Sequence, residues 1–159
     1  MTEQLTIRTA GAADYAAVNR LMEQCQQLHI QWRPDLYRDC VPMLTEAYYQ
    51  EMIANDTLLL AEREGCVLGM LYYQLRHTEV PVLVSRDTIY VDSLVVEESC
   101  RGQGIGTALL AHLRTLAEAK NVAAIELHVS QQNTSAQKMY ASAGFRPKTL
   151  TMELPISVC

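Results

Sequence analysis

The chain lacks the features that mark several common classes of protein. Its five cysteines are odd in number and include no Cys-x-x-Cys pair, which disfavours a disulfide framework and a zinc site. The net charge of −5 argues against a nucleic-acid partner, because a phosphate backbone requires a basic surface. No apolar run approaches a membrane span, and the first residues carry no basic-then-apolar signal. These absences predict a cytoplasmic protein with reduced thiols and no metal, nucleic-acid or membrane partner.

The composition that remains is that of an ordinary globular domain. Hydrophobic residues make up 49% of the 159 residues and charged residues 19%. Repeats, low-complexity tracts and linkers are missing from the sequence. We therefore expect residues 1–159 to form a single domain that buries roughly two-thirds of its unfolded surface.

Periodicity predicts a mixed sheet covered by helices. Residues 5–8 alternate like a strand, and apolar residues recur at helical spacing from Tyr15 to Leu28, before Pro34 ends the helix. A second helix is predicted from Pro42, taken as a first-turn proline, to Asp56. The predicted elements that follow are a hairpin of 57–62 with 66–75, a strand over 87–96, a helix over 105–120, a strand over 123–129, a helix holding Tyr140 and a last strand over 149–155. This order predicts the α/β (α+β) class.

A glycine-rich arch over residues 101–107 is the most informative local pattern. It follows a predicted strand, opens a predicted helix, and carries glycines at 102, 104 and 106. Unpaired N–H groups and the helix dipole make such an entrance a cradle for phosphate. Neither familiar phosphate loop fits, because no Lys follows Gly106 as a Walker loop requires, and Thr107 stands where a dinucleotide fingerprint needs its third glycine.

Two motifs in register resemble one family. Arg101-x-x-Gly104-x-Gly106 matches Arg/Gln-x-x-Gly-x-Gly/Ala, and so resembles the acyl-CoA pyrophosphate loop of the GNAT superfamily of N-acetyltransferases. Downstream, the residues from Asn133 through Tyr140 to Phe145 are similar to the family's Asn-x-x-Ala-x-x-x-Tyr-x-x-x-Gly-Phe helix. The likeness is strong over residues 86–146, fair over 1–30 and weak elsewhere.

The resemblance implies a fold and an activity. The fold is a central, mostly antiparallel sheet with helices on both faces and a parallel pair of strands, 90–96 and 124–129, that splay apart to admit CoA. The activity is transfer of an acetyl group from acetyl-CoA to the primary amine of a small molecule, by direct attack in a ternary complex. Acetylation of a protein or peptide and a non-catalytic acyl-CoA sensor remain alternatives, and a homodimer remains open.

The resemblance also assigns residues to the acyl donor. Main-chain groups of the strand ending at Val96 are expected to pair with the pantetheine arm, and the arch with the diphosphate. Asn133 can in addition cap its own helix. The expected donor-binding residues are Leu94, Val95, Val96, Arg101, Gly102, Gln103, Gly104, Ile105, Gly106, Thr107, Asn133 and Tyr140.

Acyl transfer to an amine also needs groups that handle protons. By resemblance Tyr140 lies beside the thioester sulfur, where a phenol can protonate the departing thiolate. Strand alternation predicts Asp92 on the same face as Leu94 and Val96, where it either accepts the amine proton or serves a structural role. The helix break and second helix are rich in aromatic and polar residues, which suits substrate binding by His29, Trp32 and Tyr37, together with Asp92.

Overall fold

A computed structural model describes residues 4–157 and contains a five-stranded sheet with helices on both faces. The strands are β1 (Thr6–Thr9), β2 (Leu58–Arg63), β3 (Cys66–Thr78), β4 (Arg86–Val96) and β5 (Ala124–Leu127). The helices are α1 (Tyr15–Trp32), α2 (Glu46–Ile53), α3 (Ile105–Ala119) and α4 (Thr134–Ser142). Short 3-10 turns precede α1 and follow β4. In this part of the chain no helix is both long and apolar enough to cross a membrane.

The strands lie in chain order, and only the last pair is parallel. β1 to β4 are antiparallel neighbours, while β4 and β5 run side by side from the pair Thr88–Ala124 to the pair Val91–Leu127. Their pairing stops there, although β4 continues to Val96. The predicted mixed sheet with a splayed parallel pair is confirmed.

Alternation along the central strands builds a separate core on each face of the sheet. In β2, Leu58 and Leu60 face a cluster with Val18 and Leu21 of α1, and Tyr49 and Met52 of α2 also belong to that cluster. The intervening β2 residues face the other cluster, which is completed by α3. Because β2 is buried on both sides, it reads as a continuous apolar run rather than as an alternating one.

A β-bulge at Asp92 corrects the predicted face of this residue. Tyr72 pairs with Ser93 and Tyr73 with Val91, so Asp92 is the extra residue of β4. The alternation therefore changes phase: Val91 and Leu94, three residues apart, both pack toward the α3 cluster. Asp92 instead lies on the α1–α2 side, near Tyr48, so the expectation that it shares a face with Leu94 and Val96 is wrong.

Two predicted elements also differ from the structure. The second helix begins at Glu46 rather than at Pro42, because the hydroxyl of Thr45 accepts the N–H of Tyr48 and caps the helix there. The predicted last strand over 149–155 is absent from the described residues, which follow α4 as irregular chain. Its apolar alternation is typical of a strand, but within residues 4–157 no neighbouring strand pairs with it.

Candidate active site

The arch is shaped by two glycines with left-handed backbone. Gly102 has φ 76° and Gly104 has φ 81°, and a Cβ at either position would meet nothing within 4 Å. Conformation rather than space therefore requires glycine there. Gly104 is the N-cap of α3, and the first helical bond runs from Ala108 N–H to the Gly104 carbonyl at 2.9 Å. The N–H groups from Ile105 to Thr107 precede that bond and have no helical acceptor, which is the geometry that binds anions.

Gly106 lies where a side chain would crowd its neighbours. A Cβ on Gly106 would lie 2.7 Å from Sδ of Met139 in α4, well inside contact distance. It would also lie 3.6 Å from a methyl carbon of Leu94 in β4. The missing side chain therefore lets α3, α4 and the end of β4 approach one another closely.

The free part of β4 presents main-chain groups toward the space left by β5. The N–H of Glu97 donates to the Leu68 carbonyl at 2.8 Å, so this opposed pair is hydrogen-bonded. Bonded and non-bonded pairs alternate along an antiparallel ladder. Val95 therefore bonds to β3, whereas Leu94 and Val96 direct their N–H and C=O groups away from it. In agreement, the Val96 carbonyl accepts Nε of Arg101 at 3.2 Å.

A cleft of about 160 Å³ opens where β4 and β5 separate. Five of the predicted site residues line it: His29, Asp92, Leu94, Asn133 and Tyr140. The remaining wall residues come from α1, the segment before α2, and the ends of β4 and β5: Met22, Cys25, Gln26, Met43, Val91, Ser93, Leu127, His128, Val129 and Ser130. The arch itself lies outside these walls, at the far end of the free β4 segment.

Tyr140 enters the cleft from α4 and is largely buried. Burial raises its pKa to about 12, because a phenolate loses its hydration there, and the nearby Cys25 adds to the shift. Burial also raises the pKa of the Cys25 thiol in the same cleft. Both shifts describe a region that disfavours anions, so Tyr140 keeps its proton at any physiological pH.

Asn133 caps α4, as predicted. Its side-chain oxygen accepts the N–H of Ala136 at 3.1 Å, and its main-chain carbonyl accepts the N–H of Gln137. Gln137 in turn donates its side-chain amide to the Ser130 carbonyl at 2.8 Å. The cap and this bond fix the start of α4 against the end of β5, and so fix the direction in which Tyr140 points.

Of the residues predicted to bind substrate, one lines the cleft and the others pack behind it. His29 lines the cleft, and burial lowers its pKa, which favours the neutral imidazole. Tyr37 stacks on His29 with ring centroids 4.8 Å apart, and Trp32 lies at 5.8 Å. Neither of these two rings forms a wall of the cleft. Tyr49 of the same aromatic region is fully buried and donates its hydroxyl to the Gly11 carbonyl, which is a packing role.

His128 is a cleft residue that the sequence analysis missed. It follows β5, and its Nδ1 lies 2.6 Å from the Tyr90 hydroxyl of β4. The parallel register explains the contact, because Tyr90 pairs with Glu126, two residues before His128. A single His after a short strand carries no pattern of its own, so only the pairing of β4 with β5 could have identified it.

Comparison with known proteins agrees with this geometry and places the chain among the acyltransferases. Residues 20–145 match the acetyltransferase (GNAT) family. This match covers most of the chain, and the chain belongs to that family.

Two curated relatives are named as acetyltransferases. The [ribosomal protein bS18]-alanine N-acetyltransferase of Haemophilus ducreyi is 30% identical over 52% of this chain and 61% of its own length. The L-2,4-diaminobutyric acid acetyltransferase of Nocardia farcinica is 31% identical over 57% of this chain and 44% of its own length. The matched part of this chain thus spans less than two-thirds of either relative.

A solved structure matches the whole fold. A point mutant of the BH1408 protein from Bacillus halodurans has a TM-score of 0.92 and 32% sequence identity. The match covers 96% of this chain and 99% of that one. The similarity therefore extends over nearly the whole chain.

Proposed function

We propose that this chain is an N-acetyltransferase that transfers the acetyl group of acetyl-CoA to the primary amine of a small molecule, by direct attack in a ternary complex. Family membership implies acetyl-CoA as the acyl donor. One observation carries the proposal: β4 loses its β5 partner after Val91 and continues alone toward the glycine arch. A long donor with a diphosphate at one end and an amide-bearing arm at the other fits that path.

In this proposal the chain binds the donor largely through its main chain. The N–H groups of the arch, from Gly102 to Thr107, face the diphosphate. The exposed Arg101, whose Nε holds the Val96 carbonyl, keeps further N–H groups available to phosphate. Leu94 and Val96 pair with the amides of the arm, as a neighbouring strand would. Main-chain binding of this kind leaves the side chains of β4 free to pack in the core.

For acyl transfer, groups in the cleft must accept the amine proton, stabilise the oxyanion and protonate the departing thiolate. The amine must lose a proton before it attacks, since free alkyl ammonium groups have pKa values near ~10.4. Asp92 and His128 are the two cleft side chains that we propose as acceptors of that proton, directly or through water. The oxyanion needs a fixed donor, worth about 3–4 kcal/mol in other enzymes. We assign this role to an N–H near the bulge and free end of β4.

Tyr140 is proposed to protonate the departing thiolate. Its pKa of about 12 ensures that the proton is present when it is needed. An ordinary thiol, with a pKa near ~8.5, would be a poor match for so weak an acid. Burial also raises the pKa of the Cys25 thiol in this cleft. The same desolvation acts on a thiolate leaving group and brings its basicity closer to that of Tyr140.

A protein N-terminus is the second candidate acceptor. The Haemophilus relative, by its name, acetylates an alanine of a ribosomal protein. The Nocardia relative, by its name, acts on a small diamino acid, and it matches a similar length of this chain. The partly buried cleft of about 160 Å³ has room for a small amine, and this favours the small molecule.

The test is release of free thiol from acetyl-CoA in the presence of separate acceptors. The panel contains polyamines, amino acids including 2,4-diaminobutyrate, amino sugars, and a peptide that begins with alanine. We expect turnover with at least one small primary amine. Faster turnover of the peptide would favour the second candidate. Calorimetric binding of acetyl-CoA without turnover on any acceptor would instead indicate a sensor. The cytoplasmic location stays a prediction.

A further inference from the structure

A second cavity adjoins the cleft and continues it along α1. It has a volume of about 240 Å³ and lies between α1 and the segment before α2. We call it the side pocket; its walls include Glu23, Gln26, Gln27, Val41 and Met43. Gln26 and Met43 line the cleft as well, so the two cavities meet at these residues. A molecule that places one end in the cleft therefore has space for its other end in the side pocket.

The polar wall of the side pocket consists of side chains on one face of α1. Glu23 precedes Gln26 by three residues and Gln27 by four, which places the three side chains together. Nε2 of Gln26 donates to the Arg38 carbonyl at 2.7 Å, and Nε2 of Gln27 donates to the Asp39 carboxylate at 2.6 Å. A carbonyl and a carboxylate can only accept, so the amide nitrogens must point toward that segment. The two amide oxygens remain as acceptors.

These acceptors have no donor within residues 4–157. Neither the two amide oxygens nor the Glu23 carboxylate takes part in a hydrogen bond or an ion pair there. The one cation of the described walls, Arg20, is already engaged: its Nη2 donates to the Val67 carbonyl at 3.1 Å and pairs with Glu97 at 3.2 Å. The side pocket therefore offers free acceptors and one unpaired negative charge, which suit a ligand group that is positively charged and donates hydrogen bonds.

The opposite wall of the side pocket is apolar. Val41 is 79% exposed, and Met43 lies between the side pocket and the cleft. A methylene chain passing these two side chains would remove apolar surface from water. The net charge of −5 also attracts a cationic ligand to the protein as a whole.

We propose that the side pocket binds the second ammonium group of a linear alkyl diamine whose first amine is acetylated in the cleft. This inference rests on the proposed function and narrows its substrate class. Glu23 pairs with the distal ammonium, the oxygens of Gln26 and Gln27 accept its N–H groups, and the methylene chain lies against Met43. A distal carboxylate would instead face Glu23 and find no free cation in the described walls. A simple alkylamine would leave these acceptors without a partner.

The experiment compares kcat/KM for linear diamines of graded length with simple alkylamines and ω-amino acids of the same lengths. The wild type is expected to prefer the best diamine over both by at least ~10-fold. Glu23→Gln should lose most of this preference, and Glu23→Lys should transfer it to the ω-amino acid. Glu118→Gln, which removes a carboxylate from an exposed pair with Arg114 on α3, is the matched control and should keep the wild-type preference. A ratio of two substrates within one variant does not depend on the amount of folded protein.

Calorimetry separates this proposal from the proposed function. The same amines are titrated into the wild type and Glu23→Gln in the presence of CoA, so that binding is measured without turnover. The diamine is expected to bind the wild type ~10-fold more tightly than the alkylamine, and Glu23→Gln should bind the two about equally. Equal affinities in the wild type, or a preference that survives in Glu23→Gln, would overturn the side-pocket proposal. Tight diamine binding without acetylation would support the side pocket and contradict the proposed function, whereas acetylation without a diamine preference would do the reverse.

Discussion

The Tyr140 side chain carries a polar hydroxyl group but is largely buried away from water. Asn133, at the start of the same helix, caps α4 and sets the direction of the Tyr140 side chain. The ring also lies 5.6 Å from that of Phe145, in a tilted arrangement. Such packing holds a side chain in one orientation, which a general acid needs if it is to meet the same leaving atom in every turnover.

Tyr140→Phe removes the proposed acid and little else. We expect kcat to fall by about 10²–10⁴-fold, as for other general acids, while the Kd of acetyl-CoA changes less than ~3-fold. Because burial raises its pKa to about 12, wild-type Tyr140 should cause no decline in kcat/KM below pH ~11. Kinetics across pH and calorimetry measure both quantities. Unchanged kcat in the variant would remove Tyr140 from the reaction.

Separate substitutions of Asp92 and His128 show which of the two accepts the amine proton. Asp92→Asn and His128→Gln each keep the approximate size of the side chain while removing its ability to accept a proton. The variant that lacks the true acceptor should lose ~10²-fold or more in kcat/KM. The other variant should keep its kcat/KM nearly unchanged. Equal, small losses in the two variants would indicate that His29 or water takes the proton.

At the scale of elements, the entrance of α3 combines left-handed glycines with the proposed donor site. Gly104→Ala places a Cβ on a residue with φ 81°, which costs about 1–2 kcal/mol in unfolding free energy. Gly65→Ala, at φ 74° in the β2–β3 turn, carries a similar conformational cost far from the arch. Urea unfolding should show similar losses for both. Only Gly104→Ala should weaken acetyl-CoA binding, and equal affinities would contradict the proposed cradle.

A substitution at Gly106 tests whether α3 and α4 pack closely against each other. Alanine within a helix ordinarily stabilises by about 0.5–1 kcal/mol relative to glycine. Here Gly106→Ala is expected to gain less than this, because its Cβ would lie 2.7 Å from Sδ of Met139 and the flexible end of that side chain must shift. In a Met139→Ala background the same substitution should give the full gain. A double-mutant cycle by urea unfolding measures this difference, and an equal gain in both backgrounds would mean that α3 and α4 are not in close contact at Gly106.

At the scale of the whole molecule, we expect one cooperative unit that the donor stabilises. The two cores lie on opposite faces of one sheet and share β2, β3 and β4. A single unfolding transition, coincident by fluorescence and circular dichroism, is therefore expected. At 100 times its Kd, acetyl-CoA should add about 2.7 kcal/mol to the unfolding free energy. Two separate transitions, or a midpoint that acetyl-CoA does not move, would contradict this expectation.

Local patterns predicted most of the elements but missed features set by pairing. The helix from Ile105, the cap at Asn133 and the splayed strands follow from glycines, polar caps and apolar runs close together in the chain. Asp92 was assigned the wrong face because a bulge depends on how β3 pairs with β4. His128 was missed for a related reason, since its partner Tyr90 lies on a neighbouring strand.

The sequence by itself determined the order of elements, the mixed class of the sheet and the glycine arch, because these depend on residues near one another along the chain. Only the tertiary structure decided where β4 and β5 part, that Asp92, His128 and Tyr140 share a cleft, and that within residues 4–157 no strand lies beside residues 149–156. Strand register and edge pairing depend on contacts between distant segments. A local apolar alternation predicts that a strand can form, but a strand also needs a neighbour, and the fold of the whole chain decides whether it has one.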